Sequence, residues 1–419
     1  MNRRIVLLSL MVFSCSAQAQ NVLIKNATVH TAAAQGSLNN TDVLVQGGII
    51  RAIGKNLANP AGVLSVDAQG KPLTPGLFAG ISEIGLEEIS QEETTVDANL
   101  ALKTGDSGLI ENLRPEFDVT RAYNPRSSLL AVARVGGMSF TALGTSGSLL
   151  PGQGGVMRLD GGYEPVTNRR IPYISIGEGK LDQSGSSRAA QYMLLEQAFS
   201  EARQPVAGDD RLLTSAGRST LNQDMANKRF LVYVNREADI RQVLKLAQKF
   251  GIRVALVGAS EAWRVANQLA TANVPVFIDA LESLPSSFDA LGSRLDNAAL
   301  LKEAGVSVSF INGNDSSHNA RKIRQIAGNA VANGLPWQAG LAGISAAPAK
   351  ALGVDAQIGS IEVGKTADLV LWTGDPLDVA SIASAMWLAG KSIKLESRQT
   401  LLRDRYMAPD NGLPRAYQQ

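Results

Sequence analysis

Four apolar runs constrain this chain most: RFLVYVN from Arg229, RVALVG from Arg253, VPVFIDA from Val274 and VSVSFI from Val306. They recur about every 22–30 residues, too far apart for hairpin turns and far enough for a crossover helix between parallel strands. The sequence between them has helical texture: READIRQVLKLAQKFG, then SEAWRVANQLATA with Ser260 as a plausible N-cap, then LDNAALLKEAG with Gly305 placed to end the helix. Repeated β-α units of this kind form a parallel sheet covered by helices, and the stretch 75–356 has the length of a closed (β/α)8 TIM-type barrel.

Both flanks read differently. Residues 20–74 contain short alternating strands, NVLIKNATVHT and DVLVQGGIIRAIG, where Gly47 and Gly48 supply the positive φ that a tight hairpin turn requires. Residues 357–398 return to β texture in IGSIEVGKTADLVLWTGDP and MWLAGKSIKLES. Two β segments that flank a barrel can pair into one module, so a β-sandwich built from both chain ends is expected. Residues 399–419 are polar and read as a surface tail.

A chain of 419 residues with 45% hydrophobic and 19% charged residues fits a folded globular protein. Its net charge of +2 is too small for a field that gathers nucleic acid or anionic lipid. The start, MNRRIVLLSLMVFSCSAQAQ, has Arg3 and Arg4, an apolar run from Ile5 to Phe13, and Ala17-Gln18-Ala19 in small-x-small form. That run is shorter than the ~20 residues of a membrane span and reads as a secretory signal, residues 1–19, with Gln20 as the first mature residue. The expected location is the periplasm. Cys15, the only cysteine, lies inside this segment; a lipid anchor there fits less well because Phe13 stands two positions before it. The mature chain then carries no disulfide.

The runs NATVHT, NNTDVLVQGGIIRAIGKNL, VDAQGKPLTPGL and APAKALGVDAQIGSIEVGKTADLVLWTGDPLD resemble the two ends of the amidohydrolase superfamily, in its secreted imidazolonepropionase-like branch. RVGGMSFTALGTSGSLLPGQGGVMRLDGG and SSHNARKIRQIAGNAVANGLPW resemble the same branch, so the similarity covers nearly the whole mature chain. The resemblance implies a composite fold of metal-dependent hydrolases, a (β/α)8 barrel with a β-sandwich, and ancestral metal-assisted hydrolysis of carbon–nitrogen bonds other than peptides.

The family's ligands are where the resemblance fails. Members usually follow Pro-Gly-Leu with a His-x-His pair, two imidazoles on one side of a strand that grip one divalent ion such as zinc. Here Pro75-Gly76-Leu77 is followed by Phe78-Ala79-Gly80, and Ile81 and Glu83 stand at the histidine positions. Glu83 offers an oxygen ligand; Ile81 offers none. Later family histidines are replaced by Tyr233 and by Val257-Gly258, and only His30 and His318 occur in the whole chain. His30 falls in the N-terminal β module and reads as structural. His318, after the last barrel strand, is a weak candidate for the barrel mouth, and Asp315 stands where the family keeps a catalytic aspartate, although an N-cap or loop role is equally open.

Lowering the pKa of water from about 15.7 to about 7 stabilises hydroxide by ~12 kcal/mol. A positioned carboxylate base contributes only ~3–5 kcal/mol. No bound cofactor is therefore expected, and Asp315, Glu83, His318 and Tyr233 remain as weak catalytic candidates. Two functions are open: an exported hydrolase of a small amide or cyclic amide with weak or lost ancestral activity, or a non-catalytic binding subunit. Assembly with copies of itself or with an active relative is open as well.

Three further motifs have plainer readings. Gly359 to Thr366 matches the phosphate-loop pattern, yet ADLVLW after it reads as a strand where that loop needs a helix. Glu83, Glu87 and Glu88 resemble paired acids, and a solvated helix face is the more ordinary explanation. Gly144-Thr-Ser-Gly-Ser and Pro151-Gly-Gln-Gly-Gly read as backbone turns at the barrel mouth.

Overall fold

Alternating apolar residues and glycine turns at both chain ends produce one shared sheet. The computed structural model describes residues 21–100, 113–145, 147–181, 186–204, 211–313 and 317–407. The expected signal at 1–19 with Cys15, the first mature residue Gln20, the candidate Asp315 and the tail beyond 407 lie outside the described residues.

The shared sheet contains Val22–His30, Ser37–Gln46, Ile49–Gly54, Leu64–Asp67 and Pro72–Pro75 from one end, and Leu369–Trp372, Ala383–Leu388 and Lys391–Ser392 from the other. The expected sandwich takes the form of one hydrogen-bonded eight-stranded sheet, joined where Leu369–Trp372 runs antiparallel to Pro72–Pro75. Gly47 and Gly48 have φ of 62° and 78°, as the hairpin requires. One face buries Ile24, Val43, Val45, Leu73, Leu369 and Trp387 in a common core. Each such side chain contributes roughly 1.5–3 kcal/mol by leaving water.

Between these ends the chain alternates strands and helices, giving a mixed α/β fold. Leu77–Ser82 and Met138–Leu143 are parallel neighbours. Ile171–Ser175, Arg229–Val234, Arg253–Gly258, Val276–Ile278 and Val308–Phe310 form a second parallel run. The bent segment Gly152–Arg158 links the two, because Gly152–Gly154 pairs with Ile171–Ser175 and Val156–Arg158 pairs with Met138–Leu143, both antiparallel. The glycines expected as mouth turns thus lie partly within a sheet. A Cβ on Gly154 would stand 1.9 Å from the Leu143 carbonyl oxygen, so only glycine allows this approach.

Among the described residues the ladders do not close into a ring, since nothing pairs Val308–Phe310 with Leu77–Ser82. Phe78 N instead donates to the Ile344 carbonyl at 2.8 Å. Phe78, Phe140, Tyr173, Leu231, Val257 and Phe277, one from each of six parallel strands, nevertheless meet in one buried cluster. Alternation along a strand therefore sends the next inward residues to the strand ends.

Helix Glu237–Phe250 buries Ile240, Val243, Leu246 and Phe250 and ends at Gly251 with φ 61°, as its periodicity predicts. Gly305 likewise has φ 89° just past Asn297–Glu303. Ser260 is not an N-cap: a 3-10 turn Ala262–Val265 precedes the helix Ala266–Thr271, and the Ser260 hydroxyl donates to Glu282 Oε2 at 2.6 Å. The buried Asp368 accepts from Arg158 Nε at 3.1 Å and from Ala389 N at 2.7 Å, tying the shared sheet to the central strands. Arg398–Met407 is an exposed helix at the start of the expected tail. Among the described residues no helix is long and apolar enough to cross a membrane.

Candidate functional site

The carboxyl ends of the parallel strands surround a cavity of about 630 Å³. In parallel α/β architectures this end gathers ligand-binding groups, because loops there are free to vary over a fixed sheet. Ile81 and Ser82, Ile176, Tyr233 to Asn235, Val257 and Gly258, Asp279, and Ile311 to Gly313 all reach it from strand ends.

A backbone irregularity sets the first wall. Between Phe78 and Ile81 the pairing with Met138–Leu143 slips by one residue, and Gly80 has φ 88°. Such a bulge re-aims the side chains that follow it. Ile81 packs against the inner cluster, and Ile81 and Glu83 both line the cavity. Glu83 N donates to Ser317 Oγ at 2.9 Å, which fixes the strand end against the segment after Val308–Phe310.

Glu83 and Glu87 form a carboxyl pair. The chain turns between them, with Glu87 N donating to the Glu83 carbonyl at 3.1 Å, and Glu87 is only 6% exposed. Burial first, then the neighbouring charge and hydrogen bond of Glu87, push the Glu83 carboxyl up to about 7. The reading of Glu83, Glu87 and Glu88 as a solvated helix face is therefore corrected: no helix forms, and Glu83 and Glu87 face the cavity. Glu88 alone points outward, where its Oε2 accepts from Ser128 N and Oγ at 3.2 Å.

Tyr233 continues the inward row of Leu231, and its ring stacks on Tyr173 at 6.1 Å. Burial and the nearby Glu83 hold its phenol well above the ordinary range, so it is a neutral hydroxyl at any working pH. The Tyr173 hydroxyl donates to the Leu143 carbonyl at 2.7 Å, whereas no hydrogen-bond partner is found for that of Tyr233 among the described residues.

Further polar groups in the lining, among them Asn235, Asp279 and Glu282, escape the sequence reading. Asn235 ends the strand run LVYVN, and Asp279 directly follows the strand Val276–Ile278, so a polar residue closing an apolar run was the available signal. Asp279 accepts from Leu281 N at 2.9 Å and Gly313 N at 3.1 Å, and Glu282 accepts from Ser260 and from Ser286 at 3.0 Å. The position of Gly258 explains itself locally: its φ is 86°, and a Cβ there would stand 2.4 Å from Asn235 Oδ1.

The sequence candidates separate. Glu83 and Tyr233 come together in the cavity, Asp315 lies outside the described residues, and His318 is exposed on the turn Ser317–Lys322 and does not line the cavity. His30 lies on the shared sheet, with Nδ1 2.7 Å from Ser37 Oγ and its ring 4.6 Å from that of Trp337. Burial lowers its pKa, opposed by the charge of Asp375. After Gly359 to Thr366 comes the strand Leu369–Trp372 and no helix, and Lys365 is occupied by Glu362 at 2.6 Å.

These residues fit a divalent metal poorly. Among the described residues no three His, Cys, Asp or Glu side chains converge to hold an ion. Ile81 has no donor atom, and a Glu83 carboxyl that keeps its proton to about pH 7 competes weakly for a cation.

The chain has a mixed α/β fold with a polar cavity at the carboxyl ends of parallel strands, and comparison with known proteins finds its similarities among amidohydrolases. Residues 224–395 match the Amidohydrolase family. The amidohydrolase of Thermotoga maritima MSB8 has the same fold, with a TM-score of 0.78 at 23% identity over 89% of this chain and 99% of that one. A zinc-bound adenosine deaminase from Xanthomonas campestris superposes with a TM-score of 0.54 at 17% identity, over 92% of this chain and 97% of that chain. In sequence, the chain is 24% identical to the amidohydrolase tasK of Hapsidospora irregularis over 83% of its own length and spans only 39% of that protein. A dihydroorotase of Trichlorobacter lovleyi is 44% identical over 58 residues, 14% of this chain and 13% of that protein. The chain therefore spans well under half of both sequence relatives.

Proposed function

We propose that this chain is by descent a hydrolase of non-peptide carbon–nitrogen bonds whose strand-end cavity recognises a small amide or cyclic amide with the family's metal chemistry weakened or lost. The carrying observation is the pair of positions after the Gly80 bulge. Ile81 cannot ligate, and burial together with the neighbouring Glu87 raises the Glu83 carboxyl to about 7. Aligned inner residues from six strands support closure of the sheets into a TIM-type barrel. The Arg3–Ala19 pattern supports export to the periplasm.

The cavity suits an amide by hydrogen-bond type. Tyr233 presents a donor to a carbonyl oxygen, while Asn235, Glu87 and Asp279 present acceptors to N–H groups. Filling these valences favours an amide over a hydrocarbon of equal size, because a buried polar group left unpaired costs about 1–3 kcal/mol. Neither Glu83 nor Tyr233 replaces the ~12 kcal/mol by which a metal stabilises hydroxide.

The test is a panel of N-acyl amines and cyclic ureides offered to pure protein, with calorimetry for binding and chromatography for turnover, with and without added zinc or manganese. Saturable binding with no metal-stimulated hydrolysis is expected. Turnover that rises with metal and vanishes with chelator contradicts the proposal.

A further inference from the structure

The opposite end of the parallel strands carries a second polar site, independent of the strand-end cavity and of the function proposed for it. Arg229 and Arg253 are the first residues of adjacent parallel strands and stand in register with each other. Arg169 and Arg170 lead into the strand Ile171–Ser175, and Lys350 lies in the last turn of the helix Ala346–Leu352. These five cations line one depression of about 140 Å³, and among the described residues no carboxylate lines it with them.

Their local partners leave most of this charge uncompensated. Arg170 Nε is held by Asp118 at 2.9 Å, Arg229 Nη1 donates to the Ala351 carbonyl at 2.9 Å, and Arg253 Nη2 donates to the Asn227 carbonyl at 2.6 Å. Arg229 Nε and Arg170 Nη1 are buried and have no hydrogen-bond partner among the described residues. No partner is found for the Arg169 guanidinium or the Lys350 ammonium among the described residues. The helix end at Lys350 offers only about half a negative charge, which five cations exceed several-fold. Like charges placed in register across a strand pair repel, and buried unpaired N–H groups cost stability, so the unliganded arrangement is unfavourable on both grounds. Lining by arginine forks matches the oxygen spacing of a phosphate group.

We propose that this basic depression binds a tetrahedral oxyanion of the phosphate type. The volume is well below the about 300–1,000 Å³ of pockets that enclose drug-sized ligands, so it seats a single oxyanion or the phosphoryl head of a larger molecule. Arg170 and Arg229 line the depression beside the exposed Arg169, Arg253 and Lys350, which close its rim.

The experiment measures the melting midpoint of the full chain against rising inorganic phosphate, with sodium chloride at matched ionic strength as reference, and repeats it with glycerol 3-phosphate. A saturable rise specific to either ligand supports the site, inorganic phosphate marking a free anion and glycerol 3-phosphate alone marking an esterified one. The double variant Arg169→Ala/Lys350→Ala removes two exposed side chains and is expected to fold while weakening the apparent affinity about tenfold or more. Arg229→Gln is expected to abolish the response. No rise beyond the chloride reference, or an unchanged response in the double variant, overturns the proposal.

Discussion

Replacing Glu83 by glutamine keeps the shape of the side chain and removes its ionisation. The Glu83 carboxyl rises from 4.5 to about 7 in the folded protein, chiefly by burial and then by Glu87. At about 1.4 kcal/mol per pKa unit this corresponds to an upper bound of roughly 3 kcal/mol, which screening at a half-buried site reduces to about 2 kcal/mol. A folded-state pKa above the unfolded value means that the folded protein holds a proton the unfolded chain has lost between about pH 4.5 and 7. Stability from this group is fully present below that window, declines as pH rises through it, and is gone above it. Glutamine does not titrate, so E83Q is expected to match the parent near pH 4.5 and to exceed it by about 2 kcal/mol above pH 8. For a chain this long that difference moves the melting midpoint by about 2 °C. Urea unfolding of both proteins across this pH range supplies the difference curve, in which titrating groups remote from Glu83 cancel. A flat difference, or a parent that gains on the variant as pH rises, refutes a Glu83 carboxyl raised by burial and by Glu87.

Two further expectations concern the frame that holds the cavity. Asp368→Ala leaves Arg158 and the Ala389 amide without their buried partner and is expected to lower stability by about 3–5 kcal/mol, read from urea unfolding; a cost below about 1 kcal/mol contradicts the structural role of this pair. Gly154→Ala places a methyl against the Leu143 carbonyl and forces two strands apart, so little folded protein is expected by circular dichroism after expression, whereas the same change at the open Gly179 is expected to be tolerated.

Elements governed by local pattern were legible from sequence. The strands beginning at Arg229 and Arg253, the helix Glu237–Phe250 and the stops at Gly251 and Gly305 follow from apolar periodicity and glycine placement. Positions governed by tertiary contact were not. Glu83, Glu87 and Glu88 have spacing compatible with a helix face, and only Gly85 at φ 87° together with the bridge from Glu87 to Val96 turns two of them inward. The glycines of 152–155 resemble a loop, yet the close approach of Phe117 to Gly152, of the Leu143 strand to Gly154 and of Thr120 to Gly155 demands them. Ser260 satisfies the pattern of a helix cap, but Glu282 from a later strand end is the stronger acceptor. Glu83 and Tyr233 were candidates because they stand where the resembled family keeps histidines; Asn235 and Asp279, at strand ends of the same cavity, carried no such signal.

Metal content tests the central claim most directly. Pure protein, expressed with zinc and separately with manganese and then desalted, is expected to carry well under one ion per chain by elemental mass spectrometry, with the same value for Glu83→Gln. One tightly held ion per chain that is lost in that variant contradicts a cavity built around a carboxyl pair.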